Sequence, residues 1–192
     1  MIVPPESPAR SVKDLVDMAK AAPGKLNYAS AGLGSTTGLA GALFTQIAQI
    51  DVVPVHFKGL PETHTAVIRG DVAVGFTFFA GGSDLIQSGK VRALAVTARK
   101  RLAALPDIPT LAEAGLPQFE HEPWFGILAP SGVPKEILAK ASQAIGDALA
   151  MPDVKARFEP QGTLLVANTP DRFDEIIKAD AARFATLFGA KN

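Results

Sequence analysis

The chain of 192 residues contains no cysteine, which excludes disulfides, thiolate metal sites and thiol catalysis. An excess of one charge is missing too: 19 Lys+Arg balance 19 Asp+Glu, for a formal net charge of zero. A nucleic-acid partner normally requires a basic surplus, so none is expected. No uninterrupted apolar run reaches the roughly 18 residues that a membrane span needs. The most apolar C-terminal segment is broken by Asp180 and Arg183. The opening Met1-Ile2-Val3-Pro4-Pro5 has no basic region, no long apolar stretch and no small-residue cleavage site, so it does not read as a signal peptide. If Met1 is the true start, a chain of this kind is expected to stay in the cytosol.

What is present is 47% hydrophobic and 20% charged, enough apolar surface to offset chain entropy and exclude disorder. The length admits one large domain or two small ones. Ser11-Val12-Lys13-Asp14 has the form of a capping box opening a helix to about Ala21. Leu26 to Ala29 reads as a strand, followed by the small-residue loop Ser30–Thr37 and an apolar helix from about Gly38 to Ala48. Val52 to Val55 is a second strand, and Pro61 opens a helix that Arg69-Gly70 ends. The continuous apolar run Val72–Phe79 predicts a strand buried on both faces. A short helix ending at Gly89 and a strand over Arg92–Thr97 follow. Strands alternating with helices predict a parallel-rich α/β sheet.

After Arg99 the pattern changes. Pro106, Pro109 and Pro117 surround a short helix at Thr110–Ala114, and Trp124–Ala129 reads as a strand. Helices are expected from Lys135 to about Ala150, from Pro152 to before Pro160, and from Thr169-Pro170 to about Phe188, with a strand at Thr163–Val166. Three amphipathic helices against two strands is unbalanced, because each apolar stripe needs a covering layer. Sheet-forming sequence is therefore expected to lie outside this chain or to come from another one.

The loop Ser30–Thr37 is the most informative local feature. It joins the end of a predicted parallel strand to a helix N-terminus, where backbone N–H groups and the helix dipole favour anions. Gly32 and Gly34 admit a ligand close to the backbone, and Ser30, Ser35, Thr36 and Thr37 add hydroxyls. An ordinary βα turn with a Ser/Thr cap is the alternative. The loop is neither Gly-x-Gly-x-x-Gly nor a Walker loop. His56, His64 and His121 lack ligand spacing, so no metal site is expected. His56 follows a strand and is a candidate for a cleft at its C-terminal end, whereas His64 is expected on a solvated helix face. Trp124 is a candidate pocket wall and Phe125 a core residue. No nucleophile elbow and no catalytic constellation is present.

The order of motifs resembles the substrate-binding receptors of the tripartite tricarboxylate transporter group, the Bug family of periplasmic proteins. The stretches that carry the resemblance are Pro23–Ser35, Phe57-Lys58-Gly59, Gly89–Thr97, Leu105–Pro117 and Trp124–Pro130. It implies a periplasmic-binding-protein-like, two-lobed flytrap of α/β class without catalytic activity, holding a small carboxylated ligand for the membrane components of a transporter. No cofactor is implied, and the location would be periplasmic. By the same resemblance, the loop matching Ser30–Thr37 grips one ligand carboxylate, and the first strands of the N-terminal lobe have no counterpart here, leaving the first lobe incomplete.

The expected division is a first-lobe helix and crossover over 1–24, a second lobe over 25–100, a crossover over 101–130 and first-lobe helices over 131–192. Thr77-Phe78-Phe79 stands where the family often carries polar residues, and His56-Phe57 replaces a more usual Pro-Tyr, so a more apolar pocket wall is expected. Ser30, Ala31, Gly32, Gly34, Ser35 and Thr36 would grip the carboxylate, with His56, Thr77, Phe78 and Trp124 lining the cleft. The competing readings are a non-binding remnant of such a receptor and a small enzyme whose loop holds a phosphate-bearing substrate, with His56 as its base.

Overall fold

The computed structural model describes residues 1–189 apart from Leu33 and Glu120. The chain forms two compact units, Met1–Trp124 and Phe125–Asn192.

In the first unit, β2 (Leu26–Ser30) is an inner strand of a five-stranded sheet. It pairs in parallel with β3 (Val52–His56) on one side and with β4 (Val74–Gly75) on the other. Next to β4 lies β1 (Ile2–Val3), and beyond it β5 (Arg92–Ala93), so the order is β3-β2-β4-β1-β5. β1 runs antiparallel to both neighbours, with Ile2 opposite Gly75 and Ala93. The class is therefore α/β with a parallel-rich but mixed sheet. Pro54 fits in β3 because that strand is at the sheet edge, where a missing N–H leaves one ladder position unfilled on the open side.

Helices α1 (Val12–Ala21), α2 (Thr36–Ala48), α3 (Leu60–Arg69) and α4 (Phe79–Gln87) connect the strands. α1 begins as the capping box requires: Asp14 N–H donates to Ser11 Oγ at 3.1 Å, and Ser11 N–H donates to Asp14 Oδ2 at 2.9 Å. Further N–H donation from Arg10, with the Ser11 bonds, holds the Asp14 carboxyl below its ordinary pKa. Val12, Leu15 and Ala19 form the buried stripe. Replacing the cap, Ser11→Ala, is expected to cost about 1 kcal/mol. A urea titration checks this, and an unmoved midpoint would show that the cap contributes nothing. One core cluster joins Ile2 and Ala29 of the sheet to Ala66 and Val67 of α3 and to Val72 and Val91. Phe44 of α2 tilts against Phe76 with ring centroids 6.2 Å apart. The guanidinium of Arg92 donates to the carbonyls of Pro5, Ser7 and Ala9, pinning the segment that leads from β1 to α1.

Several expected elements are shorter than the sequence implied. The run Val72–Phe79 is a strand only at Val74–Gly75, because the chain turns at Phe78 into α4 and buries Val72 and Phe76 without ladder pairing. Arg92–Thr97 is a strand only at Arg92–Ala93, although Val96 forms a parallel bridge with Thr110. Thr110 therefore belongs to that bridge, and the expected helix over Thr110–Ala114 is a turn, stitched by Ala114 N–H donating to the Thr110 carbonyl at 3.0 Å.

The second unit holds α5 (Lys135–Ala150), α6 (Pro152–Phe158), a 3-10 turn (Glu159–Gln161) and α7 (Pro170–Phe188), all near their expected positions. α5 packs on α6 and α7, yet no residue of α5 or α6 is buried. The stretches Trp124–Ala129 and Thr163–Val166 are not strands. A strand exists through its ladder partners, and the described residues of this unit offer none. Phe125, expected in a core, is 82% exposed, and Leu164 is 84% exposed. β1 and the turn at 110–116 belong to the same compact unit as the strands of 25–100, β1 pairing with β4 and β5.

Candidate functional site

The site is built at the C-terminal edge of the parallel strands, where open α/β sheets place their ligands. Ser30, the last residue of β2, is fully buried. Its carbonyl accepts from Phe57 N–H at 2.8 Å, tying it to the chain just past β3. Its hydroxyl turns inward: Ser30 Oγ donates to the Gly32 carbonyl at 3.0 Å and accepts from Gly32 N–H at 3.3 Å. Ala31 N–H donates to Thr37 Oγ1 at 3.1 Å. Ser35 caps α2, its Oγ accepting from Gly38 N–H at 3.1 Å and lying 3.3 Å from Thr37 Oγ1. Gly32 and Gly34 have φ of +116° and +74°, values that side chains disfavour, so the tight turn depends on glycine there. Leu33, within the loop, lies outside the described residues.

Much of the loop's hydroxyl capacity is thus spent on its own geometry. Ser30, Ser35 and Thr37 shape the loop, and the start of α2 contributes backbone N–H groups and a positive dipole end. The turn is packed tightly on its helix. A Cβ at Gly38 would sit 2.6 Å from Ser30 Oγ and 3.0 Å from the Gly32 carbonyl. Thr37 and Gly38 hold the loop as firmly as the residues singled out from sequence. The Ser/Thr run pointed to Thr37, whereas Gly38 was legible only as a helix residue.

The other expected site residues fall beside this loop to different degrees. His56 ends β3 directly opposite Ser30 and is exposed. Thr77 follows β4, which pairs with β2 through Ala29 and Gly75, so Ala31 and Thr77 leave the sheet two residues past the same pair. Phe78 is the residue before α4 and is half-buried. Trp124 closes the first unit and is 42% exposed. Three residues before it, buried His121 has Nε2 at 3.2 Å from the Thr36 carbonyl, in the first turn of α2, anchoring that segment near the loop.

His64 is not on a solvated face. It is half-buried, with Nε2 at 2.7 Å from Thr77 Oγ1, and burial pushes its pKa below the ordinary value. Nothing in its neighbours along the chain foretold a partner 13 residues away. Two depressions elsewhere in this unit, one beside Pro5, Ile86 and Arg92 and one beside Lys13, Asp17 and Gln49, do not include the loop. Among the described residues no group of three or more His, Cys, Asp or Glu could hold a metal ion. No described helix is long and apolar enough to cross a membrane.

Comparison with known proteins adds the family. The tripartite tricarboxylate transporter family receptors match over residues 1–192. A protein encoded in the tcbD-tcbE intergenic region of Pseudomonas sp. (strain P51) is 33% identical over 188 residues, which cover 97% of this chain and 56% of that protein. The structure of R. palustris Rpa4515 with adipate matches with a TM-score of 0.88 at 29% identity, over 97% of this chain and 62% of that one. MatC (Rpa3494) from Rhodopseudomonas palustris with bound malate matches with a TM-score of 0.85 at 27% identity, over 97% and 64%. The chain spans about half the length of the curated relatives it matches. A family of receptors sets aside the phosphate-handling enzyme and its His56 base. With the whole chain matched and an anion-suited loop at the strand edge, the protein belongs to the tripartite tricarboxylate transporter family of receptors, the periplasmic solute-binding Bug proteins, which are not enzymes.

Proposed function

We propose that this chain is the carboxylate-gripping portion of a periplasmic solute receptor that delivers a small organic acid to the membrane components of a tripartite transporter. The observation that carries the reading is the loop Ser30–Gly38 at the end of β2, shaped by its own hydroxyls and set against a helix N-terminus. Ser30, Ala31, Gly32, Gly34, Ser35 and Thr36 form the grip, and His56, Thr77, Phe78 and Trp124 line the cleft. The solved structures with adipate and with malate support a carboxylate as the ligand class. Capture follows as a population shift toward a closed form, biased by ligand contacts on both sides of the cleft.

Calorimetric titration with mono-, di- and tricarboxylates tests it. Binding of at least one acid is expected, and Gly38→Ala should weaken it roughly tenfold or more, since the added methyl displaces Ser30 and the Gly32 carbonyl. Silence across the panel, both for this chain and for a version extended to the length of its relatives, sinks the reading. One observation favours a second reading, in which the chain does not bind by itself: Phe125, Ile127, Leu128 and Leu164 expose apolar surface in the second unit. Self-association on size exclusion, together with silence of the short chain alone, selects it.

A further inference from the structure

The His64–Thr77 pair has a donor arithmetic that the loop does not share. Thr77 carries one hydroxyl proton. Its Oγ1 lies 2.7 Å from His64 Nε2 and 3.2 Å from the Phe78 carbonyl. A carbonyl only accepts, so with the hydroxyl proton on the Phe78 side the proton between the two side chains is that of His64 Nε2. This pattern is met by the Nε2–H tautomer of the imidazole, donating to Thr77. Burial lowers the pKa of the ring, favouring its neutral form.

The Phe78 carbonyl does not depend on the threonine. It already accepts from Gly81 N–H at 3.2 Å and Gly82 N–H at 3.0 Å, in the first turn of α4. The Thr77 proton can therefore swing to an incoming oxygen while every protein group keeps a partner. The side chain that carries it is clamped. A Cβ at Gly82 would lie 2.6 Å from Thr77 Cγ2, and one at Gly81 would lie 3.7 Å from His64 Cε1. The absence of a side chain at Gly82 leaves this room, whereas a Cβ at Gly81 would only make an ordinary contact with the imidazole. Thr77 leaves the sheet just past β4, next to the strand end that carries the carboxylate loop, and His64 reaches it from α3.

We propose that His64 is a positioning residue that presents Thr77 as a hydrogen-bond donor to a second acceptor on the ligand, making the site selective for acids with two polar ends. The inference rests on the receptor reading and deepens it: the loop takes one carboxylate, Thr77 takes the other end, and the flanking Phe78 favours an apolar middle.

Adipate and hexanoate are the probes, sharing a carbon-chain length and differing in the second carboxylate. The parent chain is expected to bind adipate about tenfold or more tightly than hexanoate, the scale of one hydrogen bond to a charged group. His64→Phe should remove most of that preference while leaving hexanoate affinity nearly unchanged, and Thr77→Val should remove the preference as well. His64→Gln, which keeps an N–H donor, should restore much of it. Ring nitrogen spectra of the parent should show a protonated Nε2 and an unprotonated Nδ1 for His64. An Nδ1–H tautomer, a parent without preference for adipate, or a His64→Phe loss shared equally by both acids overturns the proposal and leaves the receptor reading standing. Silence with every acid of the wider panel overturns the receptor reading, and this inference with it.

Discussion

Unfolded by urea at about pH 8 and again at about pH 5.5, the 192-residue chain should lose about 3 kcal/mol of stability at the lower pH. The cause is its first atom. The Met1 amino group is buried in the sheet, 2.8 Å from the Ala95 carbonyl, and desolvation lowers its pKa from 8.0 to about 5. The unfolded chain exposes the same amine at its ordinary value. Between the two values the unfolded state binds the additional proton, so stability is complete above the unfolded pKa and falls as pH drops toward the folded one. Half-buried His64, whose pKa burial also lowers, adds a change of the same sign. Residues added ahead of Met1 supply the control: an amide N–H in that position donates the same bond without titrating, so most of the dependence should vanish. A stability flat across the window in the parent chain sinks the argument.

The second large effect is expected from Gly41→Ala in α2. In an open helix this change gains about 1 kcal/mol, because alanine restricts the unfolded chain and favours the helix. Here the new methyl would stand 2.1 Å from Tyr28 Cε2 and 2.3 Å from its Cδ2. Tyr28 is buried in β2, so its ring has no free space into which to retreat. Overpacking of a close-packed core costs about 1 to 3 kcal/mol and sometimes more, which outweighs the propensity gain. A net loss of about 2 kcal/mol should appear as a lower urea midpoint at unchanged slope. Removing the ring as well, in Gly41→Ala with Tyr28→Ala, should cost less than the two single changes summed. Additive costs would mean that the helix shifts freely on its strand.

The helices were readable because their signals are local. Ser11 and Asp14 form their cap with each other, and Thr169 and Pro170 open α7 where capping rules place its start. The shape of the loop Ser30–Thr37 was readable for the same reason, its hydroxyls and glycines lying within eight residues of sequence. What failed depended on distant partners. Val72–Phe79 carried the composition of a full strand, yet its ladder ends after Gly75 where the chain enters α4. Trp124–Ala129 and Thr163–Val166 have strand-like sequences without a neighbour to pair with. β1 was missed because two residues ahead of a proline pair carry almost no periodicity. His64 was misplaced on a solvated face because Thr77, its partner, arrives only through the return of the chain along β4.

The position of β1 also orders the folding of the first unit. Ile2 can complete its ladders only when Gly75 and Ala93 are in place on either side. Contacts that close such long loops form late and slow the approach to the native state, since the entropy of closure precedes the gain from pairing. The parallel core of β2, β3 and α2 spans a short stretch of chain and can assemble early. The residues of β1 are thus among the last of this unit to find their place, and the sheet stays split between β4 and β5 until they do.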